Sequence, residues 1–214
     1  MTQRNCTVKY SKERRPSCRR RPIEGTPVHV DVGTTFPTGI RVESPRGPVT
    51  VWQLLGKGPV VVAFHRMWCP FCQQAARDLV AVRDDLEACG ARVVIVYRED
   101  VGSVGGSCAD RAIPFDCVSD SDRQLEQAAD ITKFSLSRYL AFSPAKMIRA
   151  LRSGSRIGMS AHFLQGRGTF VLDRTGKVVY AHRSTTAADL PQINDVLVAV
   201  RAAANDNTDD LRNL

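Results

Sequence analysis

Two cysteines separated by two residues, Cys69 and Cys72 in the run Trp68-Cys69-Pro70-Phe71-Cys72, are the side chains best placed to do chemistry in this sequence. A thiol pair at that spacing can exchange disulfides, react with peroxides, or supply half of a zinc site. The zinc reading needs a second half, and it is missing: Cys108 and Cys117 lie nine residues apart and no paired histidines accompany them. Redox chemistry is the use that remains.

Position divides the labour between the two thiols if a helix starts at the pair. Cys69 then occupies the helix N-terminus, where unpaired N–H groups and the positive end of the helix dipole stabilise a thiolate, and it is the attacking nucleophile. Cys72, one turn further on the same face, is the resolving thiol that opens a mixed disulfide and closes an internal one. Arg66 and His65 can add positive charge beside the thiolate, a histidine turned away at the strand end being the alternative for His65. Trp68 offers a flat apolar surface for a disulfide or hydroperoxide.

The flanking pattern supplies the elements that would hold this arrangement. Before the pair, Pro59 to Phe64 is a continuous β-branched apolar run of the kind a doubly buried strand shows. After it, Phe71, Ala75, Leu79, Val82 and Leu86 form one apolar stripe of a long amphipathic helix, with Pro70 in its first turn and Gly90 as its stop. Ala91 to Tyr97 returns as a second buried strand, so strand, helix and strand make a parallel crossover in an open α/β sheet.

Around that unit the reading is coarser. A hairpin-like stretch ending in Pro48 to Leu55 precedes it. Segment 100–112 carries Gly102, Gly105 and Gly106 and reads as a loop around a weak helix, 114–118 as a short strand, and 121–129 as a short helix capped by Ser121 or Asp122. From Lys133 to Arg156 six basic residues and no acid interleave with apolar ones, a basic helical insertion packed by its apolar face with its charges solvated. Residues 169–182 form a hairpin with a turn at Gly176. Leu190, Ile193, Leu197 and Val200 form a closing helix capped by Asp189.

The 214 residues carry a net charge of +8, with 43% hydrophobic and 24% charged residues. Eight of the first 24 residues are basic and two acidic, a net +6, so the remainder is nearly neutral. A basic arm can bind phosphates, but a solvated tail accounts for the same composition, and no nucleic-acid partner is expected. The chain divides into a basic tail (1–25), one domain (26–205) and a polar tail (206–214). No apolar run reaches membrane-spanning length, and no apolar leader follows the N-terminal arginines, so a cytoplasmic location without a membrane span is expected. Seven irregularly spaced cysteines do not read as a secreted disulfide framework. Cys89 and Cys117 read as small buried hydrophobes, and Cys108 as an alternative resolving thiol.

Residues 58–72, with Arg66, Trp68, Cys69 and Cys72, followed by 168–176 and 180–183, resemble the peroxiredoxin-like branch of the alkyl hydroperoxide reductase/thiol-specific antioxidant (AhpC/TSA) family over about residues 30–203. The resemblance implies a thioredoxin-like fold with a central mixed sheet flanked by helices. It also implies redox-active Cys69 and Cys72, no cofactor, and electrons from a thioredoxin- or glutathione-type donor. A peroxiredoxin-type arginine facing the nucleophile would be Arg167. Typical members surround that cysteine with Pro-x-x-x-Thr-x-x-Cys, whereas Val62 and Arg66 stand in those places here. Thioredoxins carry a cis-proline facing the site, whereas Gln165 to Gly168 contains no proline. Three functions follow: a thiol-disulfide oxidoreductase acting on disulfides or hydroperoxides, a hydroperoxide-specific peroxidase, or a non-catalytic binding module.

Overall fold

The computed structural model describes residues 29–55, 58–140, 144–152, 154–156 and 164–212. The basic segment 1–25, with Cys6 and Cys18, lies outside the described residues. A hairpin of β1 (Arg41–Ser44) and β2 (Gly47–Thr50) leads through the single-turn helix α1 (Val51–Leu55) into the central strand β3 (Val60–Phe64). The crossover follows, with α2 (Pro70–Ala81), α3 (Arg83–Ala88) and β4 (Arg92–Tyr97). Beyond it come α4 (Val101–Asp110), β5 (Asp116–Ser119), α5 (Gln124–Ala128), α6 (Leu136–Leu140), α7 (Pro144–Arg152), β6 (Gly168–Leu172), β7 (Val178–Arg183) and α8 (Ile193–Arg212). The seven strands form one mixed sheet in the order β2-β1-β5-β4-β3-β6-β7.

Alternation along the inner strands explains why they are apolar throughout. On β3, Val60, Val62 and Phe64 join the core on one face with Leu54, Leu55 and Leu125. Val61 and Ala63 join the other with Ala76, Leu79, Leu86, Val196 and Val200. Both faces are covered by helices, so no polar alternation is needed. β3 pairs parallel with β4 and antiparallel with β6, Phe64 facing Gly168. The antiparallel partner therefore begins where β3 ends, which brings the residues before β6 to the loop holding the cysteines.

The structure corrects several local expectations. The single long helix is broken at Val82, whose φ of −111° and ψ of 18° leave the helical region. The apolar stripe continues past the break, Leu86 being buried in the same core as Leu79, and the helix ends just before Gly90 (φ +64°), the left-handed residue that the stop signal implied. Within segment 100–112 the helix is the main feature rather than the loop, α4 running over Val101–Asp110 despite three glycines. Asp100 caps it by accepting from the Ser103 N–H at 3.0 Å and hydroxyl at 2.6 Å, and a Cys108–Cys117 disulfide ties it to β5. That bond also corrects two cysteine expectations: Cys108 is no free resolving thiol here, and Cys117, though buried, is covalently paired. Cys89 is half-buried against the core rather than fully enclosed.

Capping differs too. The carboxylate of Asp120, rather than Ser121 or Asp122, accepts from the Leu125 and Glu126 N–H groups at 3.1 and 2.7 Å. Asp189 does not cap α8, which starts at Ile193; it accepts from the Thr185 N–H and hydroxyl at 2.6 and 2.8 Å and braces the loop after β7. The helix backbone of α8 continues through Arg212, past the expected start of the tail. The basic insertion is helical where it is described, as α6 and α7. Ala150 of α7 is buried with Phe71 of α2, while Ile148, Arg149, Leu151 and Arg152 are exposed.

Phe170 is a keystone of one core face, fully buried with ring centroids 5.4 Å from Phe36 and 6.0 Å from Phe64, and the Arg183 guanidinium 5.1 Å over it. Phe170→Ala should lower unfolding stability by about 3–5 kcal/mol, read as a drop in urea midpoint at unchanged slope. A loss below about 1 kcal/mol would show that the core collapses into the space.

Candidate active site

Cys69 is the N-cap residue of α2, with φ −85° and ψ 120°, and Pro70 is the first helical residue. A proline there costs nothing, because the first N–H of a helix has no internal partner. The following N–H groups of Phe71 and Cys72 are left to the Cys69 sulfur, and no oxygen-bearing side chain competes for them. Cys69 is half-buried and Cys72 is buried at the inner side of the same turn. Both are free thiols.

Arg167 joins them from 98 residues downstream. Its Nη1 lies 3.6 Å from the Cys69 sulfur and 3.6 Å from the Cys72 sulfur. Nη2 donates to the carbonyl oxygens of Thr186, at 2.9 Å, and Ala187, and the ring of Phe134 lies 5.8 Å below the guanidinium. The side chain is buried. Burial opposes its charge, but the attraction of the Cys72 and Cys69 sulfurs outweighs that cost and holds its pKa above the ordinary arginine value. The approach requires glycine next door: a Cβ on Gly166 would stand 1.8 Å from the Thr132 carbonyl oxygen.

These surroundings separate the two thiols. The Cys72 thiol donates to the Cys69 sulfur, and this hydrogen bond, the Arg167 charge and the two backbone N–H groups overcome burial and bring the Cys69 pKa down to about 5. Cys72 is pushed well above its ordinary value by burial, by the proton it shares and by the neighbouring Cys69 charge. At neutral pH the site holds one thiolate and one thiol, with the thiolate on the solvent side.

The remaining expected residues take different places. Trp68 is 43% exposed at the rim, with the Arg111 guanidinium 6.0 Å over its ring. Arg66 is buried and donates from Nε to the Gln165 carbonyl at 3.1 Å, so it supports the segment carrying Arg167. Its charge still acts on the pair: burial lowers its pKa, and Cys72, Glu99, Glu126 and Cys69 counter that. His65 does not add the expected positive charge. Burial and the Arg167 charge lower its pKa to about 3, so it stays neutral against Tyr97.

Sequence reasoning missed the supports. Gln73 is buried and clasps the segment after α7, donating to the Arg156 carbonyl at 2.9 Å and accepting from its N–H at 2.9 Å. The Ser155 hydroxyl donates to the Pro70 carbonyl at 3.0 Å. Phe134, Thr186 and Ala187 hold Arg167 through a ring face and two backbone oxygens, which no side-chain pattern announces.

The AhpC/TSA family model matches residues 32–181, well over half of the chain. The chain belongs to the AhpC/TSA family. No curated protein matches it at a significant level. Among solved structures, it is similar to the bacterioferritin comigratory protein of Xanthomonas campestris (TM-score 0.59, 22% identity, 81% of this chain and 99% of that one). It is also similar to the peroxidoxin BcpB of Mycobacterium tuberculosis (TM-score 0.61, 20% identity, 81% and 98%). A putative thiol:disulfide interchange protein DsbE from Chlorobium tepidum matches as well (TM-score 0.55, 20% identity, 82% and 99%). At these identities the likeness establishes the thioredoxin-like fold expected from the resemblance. No helix among the described residues is long and apolar enough to cross a membrane.

The electrostatics give a direct test. Iodoacetamide should alkylate Cys69 with a midpoint near pH 5 and Cys72 only at far more alkaline pH. Arg167→Met should move the Cys69 midpoint upward, slowing alkylation at pH 6 by about twofold for the first unit of displacement and by about five- to tenfold for each unit beyond it. Superimposable profiles for variant and parent would mean that the guanidinium does not hold the thiolate.

Proposed function

We propose that this family member is a thiol-disulfide oxidoreductase that reduces disulfides or hydroperoxides, with Cys69 as nucleophile and Cys72 as resolving thiol. The observation that carries the reading is the Arg167 Nη1 placed 3.6 Å from both sulfurs, in a site that splits their pKa values in opposite directions. The Cys69 thiolate attacks one sulfur of a disulfide, and the other leaves as thiolate. The Cys72 thiol, whose proton passes to the departing side, then displaces the bound half and closes the Cys69–Cys72 disulfide. With a hydroperoxide, Cys69 takes the terminal oxygen as sulfenic acid while an alcohol leaves, and Cys72 closes the same disulfide with loss of water.

Arg167 stabilises the sulfur charge in both sequences, and because it contacts both sulfurs it can follow the charge from one to the other. Arg66 acts as a positioning residue through Gln165, and Trp68 walls the entrance. A thioredoxin- or glutathione-type thiol donor returns the pair to the reduced state. Cytoplasmic residence belongs to the same proposal, since a reducing compartment keeps such a pair ready between turnovers.

Disulfide exchange is favoured over exclusive peroxidase action by Arg66. It stands where typical peroxiredoxins carry a threonine, and its Nε donates to the Gln165 carbonyl at 3.1 Å. Cys69→Ser should abolish dithiothreitol-dependent reduction of both insulin and an organic hydroperoxide. Cys72→Ser should complete the first half-reaction and stop as a mixed disulfide visible by mass spectrometry. Undiminished turnover by Cys69→Ser would remove the proposal.

A further inference from the structure

Beside the cysteines lies a groove of about 870 Å³ between α2, the end of α4 and the segment following α7. Trp68 forms its edge nearest Cys69, and Met67, Tyr97 and Ile113 give it an apolar surface. Four guanidinium-bearing residues line it, Arg66, Arg77, Arg111 and Arg156, against the single carboxylate of Asp110. Its volume falls in the range of small-molecule sites, about 300–1,000 Å³.

The charges are gathered rather than dispersed. Arg77 is steered by the Ser155 hydroxyl and by the Gln74 amide oxygen at 3.3 Å. Arg111 lies over the ring of Trp68. Both line the same groove, and burial, with a smaller contribution from the Arg111 charge, lowers the Arg77 pKa against the influence of Asp78. A like-charged pair across a groove is relieved by an anion, and the apolar surface beside it favours one with a hydrocarbon body.

We propose that this groove selects the disulfide substrate and that its preferred substrates are small disulfides whose arms end in carboxylates. The reacting sulfurs lie at Cys69, one arm crosses Trp68, and its carboxylate meets Arg77 and Arg111. This deepens the oxidoreductase reading and rests on it. Cys69 breaks the ligand's S–S bond and releases one carboxylated thiolate, and Cys72 releases the second. The ligand gains two electrons and becomes two thiols, and the protein dithiol becomes a disulfide that a dithiol donor reduces.

A charge series tests it on the full chain, with 3,3′-dithiodipropionate as dianion, bis(2-hydroxyethyl) disulfide as neutral analogue and cystamine as dication, all of similar length. Stopped-flow thiol release from the reduced protein at pH 7 should run fastest with the dianion, by about tenfold over the neutral compound, and the advantage should shrink as salt rises. Arg167 alone would favour an anion to some degree, so the deciding readout is the dianion-to-neutral ratio in variants. Arg77→Gln and Arg111→Gln should each cut that ratio by about two- to fivefold, whereas Arg111→Lys, which keeps the charge, should preserve it. An unchanged ratio in both glutamine variants would overturn the groove assignment, as would an equal loss in Arg111→Lys. If none of the three disulfides reacts faster than with a free model thiol, the oxidoreductase reading itself fails.

Discussion

A buried guanidinium between two sulfurs sets the terms for the rest of this molecule. Charge in an apolar interior is costly unless paired and fully hydrogen-bonded. Arg167 meets most of that demand with two carbonyl oxygens, an aromatic face and one thiolate, its Nε alone making no hydrogen bond among the described residues. Each partner comes from a different part of the chain. The thiolate needs the N-terminus of α2, the carbonyls need the loop braced by Asp189, and Phe134 needs the chain entering α6. The β3–β6 pairing, with Phe64 opposite Gly168, fixes the distance among them. A shift of one residue would reverse every side chain on β6 and send the bulk of Phe170 into the opposite core.

The same interaction explains why two chemically identical residues differ. Cys69 has the backbone N–H groups and a route to solvent, while Cys72 has neither advantage and lies deeper. Proton sharing between them amplifies the difference, since the thiol that donates helps the thiolate that accepts. His65, four residues before Cys69, stays neutral because burial penalises its charge and the Arg167 charge adds to that penalty. Positive charge at the site is thus concentrated in one side chain that touches both sulfurs, with Arg66 acting behind it.

Much of this was legible from residue order. The apolar run before the cysteine pair, the period of the stripe after it and the returning run fixed β3, α2 and β4, because burial on both sheet faces leaves no freedom for polar residues. The pair itself was visible because its spacing is one helical turn. Arg167 could be named only through the family resemblance, since nothing local distinguishes it from Arg174 or Arg183. What remained hidden depends on long-range closure: the carbonyls that hold Arg167, the clasp of Gln73, and Asp189 diverted from a helix cap to a loop brace. Segment 100–112 misled because glycine content argues against helix, whereas the Asp100 cap and the tie to β5 supply what propensity lacks.

The Cys108–Cys117 bond connects this helix to the chemistry without joining it. Removing loop freedom from the unfolded chain favours the folded arrangement of α4 and β5, and α4 ends in Asp110 and Arg111 at the groove beside Trp68. Three glycines make α4 a weak helix on its own, so the position of Arg111 over Trp68 depends on ties at both ends of the element, the Asp100 cap at the start and the disulfide near the close. Cys108, the alternative resolving thiol of the sequence, is tied to Cys117 and helps hold a wall of the groove, and Cys72 remains the thiol in contact with Arg167. In the proposed exchange, a stabilised Cys69 thiolate favours the reduced pair, so a Cys69–Cys72 disulfide takes electrons readily from its donor and the dithiol is a correspondingly milder reductant. Readiness to accept electrons and readiness to attack therefore have one source, the charge held at the start of α2.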